Sequence, residues 1–218
     1  MSIKEILESL EFFRSLDSEG IELLSSFCTL STYANEYILH YESEQSQNLE
    51  FLISGLARSY KIDKHKNEIF LYYIYENSLL TEIEDFKSST LNFFSNISIV
   101  EDSLVLNIDY QLFKSNFLDK EKLCLELSCE VNTRSQKLQS LINREFIYDS
   151  VQKVSMMLSS DLEMFNKLKR HDISLILHIQ PATLSRVLNR LKRNKIIDII
   201  HGQIKILDLK ALKEIVND

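Results

Sequence analysis

The chain has no Trp, one Pro, three Gly and three Cys in 218 residues. So little glycine leaves no material for a Gly-rich phosphate cradle, and with a single proline it argues against long irregular loops. The cysteines, Cys28, Cys124 and Cys129, are odd in number and scattered, which excludes a disulfide framework. They also cannot supply the four thiolates of an iron–sulfur cluster. No uninterrupted apolar run is long enough to span a bilayer. The opening MSIKEILESLEFF mixes charged and apolar residues and lacks the basic head and apolar core of a signal peptide. A cytoplasmic protein without a membrane partner is expected. No nucleophile elbow, P-loop or dinucleotide fingerprint occurs. A cupin-like metal enzyme would need two or three His with a carboxylate at strand spacing. Only His40 and His65 lie in the strand-like stretch from Thr29 to Ile108, and they form no such pair, so an enzyme is not expected.

With 44% hydrophobic and 26% charged residues, the composition is that of a globular protein with ample core. The net charge of −7 hides an asymmetry. Residues 149–218 hold twelve Lys and Arg against eight Asp and Glu, a balance of +4, while residues 1–148 hold thirteen against twenty-four, a balance of −11. An acidic front with a basic tail fits a regulator that carries a separate sensor.

The basic tail holds the most specific pattern. DISLILHIQPATLSRVLNRLKRNKII, residues 172–197, reads as a short helix, a tight turn and a longer helix. Ile173, Ile176 and Leu177 mark one apolar stripe, and Leu184, Val187, Leu188 and Leu191 mark the next at helical spacing, with Ile179 as a plug between them. Pro181 suits the first turn of a helix. Arg186, Arg190, Lys192, Arg193 and Lys195 supply a cationic flank, with no acidic residue from Pro181 through Lys195. IIDIIHGQIKILD then reads as two strands around His201-Gly202, where Gly202 can take the positive φ of a hairpin turn. Helix, turn, helix and hairpin make a winged helix-turn-helix, which reads base edges with one helix and neutralises phosphates with its flank.

Upstream, residues 3–27 hold two short helical patterns. From Thr29 to Ile108 the chain turns to short runs such as EYILHY, LEFLISG and NEIFLYYIY, separated by turn-like SEQSQN and DKHKN. Short strands at close spacing predict an all-β roll. After Asp109 the pattern is helical again. Leu127, Val131, Arg134, Leu138, Leu141 and Glu145 fall at alternating four- and three-residue steps, as in a coiled-coil seam. Asp149-x-x-Gln152 is a capping box that opens a new helix, so a hinge is expected at Tyr148–Asp149. The fold class is therefore α+β: a sensor β-roll over residues 1–118, a dimerisation helix over 119–148 and a winged helix-turn-helix over 149–218.

This order resembles the Crp/Fnr family of bacterial transcription regulators. IQPATLSRVLNRL carries the closest likeness, and LEFLISGLARSYKI is similar to the family's strand–Gly–strand element around Gly55. The resemblance implies a cyclic-nucleotide-binding-like, cupin-like jelly roll that signals through the long helices. It also implies a homodimer on a palindromic promoter site of double-stranded DNA, contact with RNA polymerase, and activation as the usual mode. By the same resemblance, Arg186 contacts guanine with its fork, Ser185 contacts a base, and Thr183 contacts a phosphate or methyl group. Gln180, Pro181, Asn189 and Arg190 complete the reading face, and Lys169, Arg170 and His171 touch phosphates. Ala182 departs from the family, which places a Glu there to accept from cytosine, so the half-site should differ beside the guanine.

The sensor departs further. Cyclic-nucleotide members need a Gly-Glu pair and a following Arg; here Glu82 matches the Glu, but no Gly precedes it and no Arg follows, so cAMP is not expected. QPxTLSR is similar to the Dnr-like branch, which implies haem in an apolar pocket such as TLNFFSNISIV, with His40 and His65 as candidate axial ligands. A sensor of a small apolar molecule and an effector-independent regulator stay open, as does an interaction protein that dimerises without reading DNA.

Overall fold

The computed structural model describes residues 2–83 and 88–217. The chain divides into two compact units, Met1–Lys137 and Leu138–Asp218.

The first unit opens with α1 (Ile3–Ser9), capped by a reciprocal Ser2–Glu5 box. A 3-10 turn (Glu11–Phe13) and α2 (Ser18–Ser25), capped by Asp17, follow. The expected β-roll is present. Its strands are β1 (Cys28–Tyr33), β2 (Ile38–His40), β3 (Gln45–Ser46), β4 (Asn48–Ile62), β5 (Glu68–Ile74), β6 (Ser78–Leu79), β7 (Leu91–Asn92) and β8 (Asn96–Asp109). The main sheet runs β1-β8-β4-β5, with β2 on β8 and β6 on β4, and β3 pairs with β7. All pairings are antiparallel. Of the stretch that stands where the family has its nucleotide cassette, residues 84–87 lie outside the described residues.

The long β4–β8 pair is the spine of the roll. It slips register three times between Leu52 and Ala57, and Gly55 sits at the centre of those bulges with φ +95. A Cβ on Gly55 would lie 2.3 Å from Ser103 Oγ and 2.6 Å from the Asp102 carbonyl oxygen, so only glycine fits. One core joins the N-terminal helices to the sheet through Phe12, Phe13 and Phe51. The other, around Leu52, Phe93 and Val105, fills the roll. The DKHKN turn closes as expected, with the Asp63 carboxylate accepting from the backbone N–H of His65 and Asn67 and Lys66 left-handed.

α3 (Tyr110–Asn116) and α4 (Cys124–Ile142) follow the roll. The helix expected to run unbroken through the Lys120–Glu145 stretch is shorter. Glu121 and Leu123 are left-handed and delay its start, and a π-helical turn (Asn143–Ile147) ends it. The seam needs correction. Leu127 is 1% exposed in the core of its own unit, and Arg134 donates to the carbonyls of Thr81 at 2.7 Å and Leu79 at 3.0 Å. Neither presents itself to a partner. Val131 and Leu138 do stay exposed, and Ile142 joins them on one stripe, within about 40° at roughly 100° per residue. Leu141 is half-buried. A 3.5-residue repeat alone cannot tell a face packed on its own domain from one packed on a copy.

The second unit holds α5 (Ser150–Ser160), α6 (Leu162–Lys167), α7 (Arg170–Ile176), α8 (Pro181–Arg193), the hairpin β9 (Ile197–Ile200) and β10 (Gln203–Ile206), and α9 (Leu209–Asn217). The Asp149–Gln152 capping box forms, with Asp149 N–H on Gln152 Oε1 at 2.9 Å and Gln152 N–H on Asp149 Oδ1 at 2.8 Å. One core gathers Val154, Leu158, Phe165, Ile173, Leu188 and Leu212.

Two glycines give a contrasting test. Gly55→Ala is expected to cost the first unit at least about 2 kcal/mol, the strain of a left-handed residue plus the displaced Ser103. Gly202, at φ +83 with open space around it, should cost the second unit only about 1 kcal/mol on the same change. Urea denaturation of both variants measures the difference.

Candidate nucleic-acid interface

The reading helix is fixed by what it buries. Leu184, Val187, Leu188 and Leu191 of α8 are all 5% exposed or less and lock into the core with Ile173 and Leu177 of the α7 segment. With that stripe held, Pro181, Ala182, Ser185, Arg186, Asn189 and Arg190 are exposed on the opposite side, and Thr183 is half-buried at the edge. Among the described residues, Arg186 and Arg190 make no ion pair, while Lys192 is held by Asp198 at 3.0 Å. That hydrogen bond keeps the Asp198 carboxyl below the usual range.

The start of α8 carries no side-chain cap. Gln180 is the N-cap residue, and Pro181 supplies the first turn. The amide side chain of Gln180 is thus not used up locally, and the helix N-terminus is left facing outward with its positive dipole end. The turn before it runs through left-handed His178, φ 50, as the chain swings from α7 into α8.

Lys169 caps α7 without a side-chain bond, and His171 is exposed beside it. Arg170 departs from the expectation of a phosphate contact. Its Nη2 donates to the Gly202 carbonyl at 2.7 Å and its guanidinium lies 5.0 Å over the Phe165 ring. Nη1 is buried without a hydrogen-bond partner, and burial lowers the guanidinium's pKa. Arg170 therefore braces the wing. The hairpin forms as read, with Ile200 opposite Gln203 and both His201 and Gly202 at positive φ, a two-residue turn of the primed kind. Asn166 adds a clamp that sequence reasoning missed. Its Nδ2 donates to the Ile204 carbonyl at 2.9 Å, and its Oδ1 accepts from Ile204 N–H at 2.7 Å. A lone Asn in a short helix carries no pattern that announces such a bond.

Residues 150–215 match the family model described as the Crp-like helix-turn-helix domain. The second unit is a Crp-like helix-turn-helix domain. No curated protein sequence matches the chain. Solved structures match over nearly its whole length. A CooA mutant from Carboxydothermus hydrogenoformans is 19% identical with a TM-score of 0.73, covering 95% of each chain. FixK2 from Bradyrhizobium japonicum is 18% identical with a TM-score of 0.67, over 86% of this chain and 96% of that one. DNR from Pseudomonas aeruginosa is 20% identical with a TM-score of 0.50, over 97% and 96%. At such identities the likeness is one of fold. It extends the likeness in fold from the helix-turn-helix to the β-roll, and with the family model it bears out the Crp/Fnr resemblance.

In the β-roll, His40 does not fit the role of haem ligand. Its Nε2 is bonded to Glu50 Oε2 at 2.5 Å, its Nδ1 faces Glu44 Oε1 at 3.3 Å, and its ring stacks on Phe93 at 3.8 Å. Both nitrogens are engaged by carboxylates. His65 lies exposed on the β4–β5 turn. Glu82 is buried and accepts from Ser95 Oγ at 3.0 Å, Tyr72 Oη at 3.3 Å and Phe94 N–H. Cys28 is buried, and burial pushes its thiol up to about 12. Cys124 and Cys129 are exposed on α4.

Burial opposes protonation of His40, but the hydrogen bond and charge of Glu50, then those of Glu44, outweigh it and raise its pKa. A raised imidazole pKa stabilises the fold fully below the ordinary histidine range, and that contribution is lost as pH rises through the raised value. The urea midpoint of the first unit should therefore fall as pH rises above the ordinary histidine range. His40→Gln should abolish that slope; an unchanged slope would show that the pair does not carry it.

Proposed function

We propose that the chain regulates transcription as a homodimer, reading a palindromic promoter site with α8 of each copy. The observation that carries this reading is the outward face of α8. Ala182, Ser185, Arg186, Asn189 and Arg190 are presented together by a helix whose other face is locked into a Crp-like core. The functional division is a sensor through residue 118, a dimerisation helix over 119–148 and a reading domain from 149 onward, hinged at Tyr148–Asp149. Two-fold pairing is supported by the exposed Val131, Leu138 and Ile142 on α4. It is also what two reading helices need to enter successive major grooves, roughly 34 Å apart. RNA polymerase is the partner that activation requires.

The β-roll works without cyclic nucleotide in this reading. The Glu82 carboxylate is already taken by Ser95, Tyr72 and the Phe94 amide, and no Arg follows it in the stretch through Ser103. Any haem bound by the chain would enter without His40 unless Glu50 were displaced, which leaves His65 as the histidine ligand to test. Catalysis is not part of the proposal.

DNA selected from a random pool tests the reading directly. Arg186→Ala should lose about 1–3 kcal/mol of discrimination at one guanine. Arg190→Ala should weaken binding across all sequences and lower the salt slope by about 1. A dimerising protein that does not read DNA would show neither effect. A strict cytosine requirement that depends on residue 182 would contradict the role given to Ala182.

A further inference from the structure

Glu145 lies in the π-helical turn at the end of α4, and its carboxylate reaches past the hinge in two directions. Oε2 accepts from Nδ1 of His178 at 2.7 Å and stands 3.7 Å from Nζ of Lys153. Oε1 accepts from Nε of Arg144 at 3.0 Å. Lys153 is in the first turns of α5, just past the Asp149 cap. His178 is the left-handed corner between α7 and α8, three residues before Pro181. A single carboxylate thus ties the segment before the hinge both to the first helix after it and to the corner that aims the reading helix. All of these residues belong to the second unit.

This is more than a solvated ion pair. Arg144 and Lys153 are each 8% exposed, and Glu145 is half-buried among them. Breaking such a cluster strands buried charge, which costs far more than losing a surface pair. Burial alone would raise the pKa of Glu145. The hydrogen bonds from His178 and Arg144, with the charges of His178 and Lys153, outweigh it and hold the carboxyl below its usual range. The π-turn that presents Glu145 is itself a rare element that recurs at functional sites.

We propose that Glu145 is a positioning residue for DNA reading, latching the α7–α8 corner to the hinge through the hydrogen bond between its carboxylate and His178 Nδ1. The groups that face the pair are Arg144 from the same turn and Lys153 from α5. Both are cations that favour the ionised carboxylate. As pH falls through the lowered Glu145 value, the carboxylate takes a proton and the latch opens. The proposal rests on the reading of α8 as the DNA-contacting helix and adds what aims it.

Fluorescence anisotropy of the full chain tests it, using a duplex that the wild-type chain selects from a random pool and a scrambled duplex as control. The ratio of specific to scrambled affinity should drop as pH falls through the lowered Glu145 value. Glu145→Gln removes a negative charge, which by itself strengthens binding to a polyanion. The latch predicts the opposite sign for the selected duplex, roughly tenfold weaker binding on the usual scale of coupling between sites, with the acid dependence lost. Glu145→Asp, which keeps the carboxylate, should restore part of the affinity and the acid dependence. His178→Ala removes the donor at an exposed residue and should weaken binding to the selected duplex in the same direction; it carries the test alone if Glu145→Gln does not fold. Glu145→Gln binding as tightly as wild type, with its acid dependence unmoved, overturns the latch and leaves DNA reading intact. A wild-type chain that selects no sequence overturns DNA reading, and the latch with it.

Discussion

The rotation of α8 about its own axis is the constraint on which the reading face depends. Leu184, Val187, Leu188 and Leu191 can be buried in only one orientation, and once they are, no freedom remains over which side chains look outward. Burial of four such side chains contributes on the order of 6–12 kcal/mol before entropy is counted, enough to hold the helix against the cost of presenting cations side by side. The wing is tied in from below by polar bonds, Asn166 on Ile204 and Arg170 on Gly202. Apolar packing sets the helix, and hydrogen bonds set the hairpin next to it.

In the first unit the equivalent role falls to β4 and β8. These two long strands carry almost the whole roll, and their three register slips around Gly55 let one pair of strands serve both cores. The helix α4 then reports on this unit through backbone contacts. Arg134 grips the carbonyls of Leu79 and Thr81, and the Thr81 hydroxyl in turn accepts from the backbone N–H of Glu50, the carboxylate partner of His40. Buried polar groups of the roll are therefore two residues away from the helix that leaves it.

Periodic and terminal signals were legible in the sequence. The α8 stripe, the Asp149–Gln152 box, the Asp63 turn and the His201–Gly202 hairpin each depend on residues close together in the chain, and each forms as read. What was not legible depends on partners far away in sequence. Leu127 and Arg134 satisfy a seam repeat, yet a heptad does not say which surface it will meet. Arg170 has the position of a phosphate contact, but the nearness of Gly202 and Phe165 claims it. His40 has the look of a ligand until Glu50, ten residues on in β4, takes its nitrogen. Glu145 and His178 are thirty-three residues apart, and neither stands in a motif that names the other.

The scarcity of glycine leaves its mark on the backbone. Nine non-glycine residues among those described, Leu123 and Lys195 with them, sit at positive φ in turns where glycine would be at ease. Each left-handed L-residue is strained by about 1–2 kcal/mol, against about 0.4–1 kcal/mol for the extra freedom glycine gives an unfolded chain. Nine such corners together approach the entire net stability of an ordinary domain. Leu123 fills the core of the first unit and His178 pairs with Glu145, but the other corners hold an untapped margin for thermal hardening that leaves the core and that pair as they are.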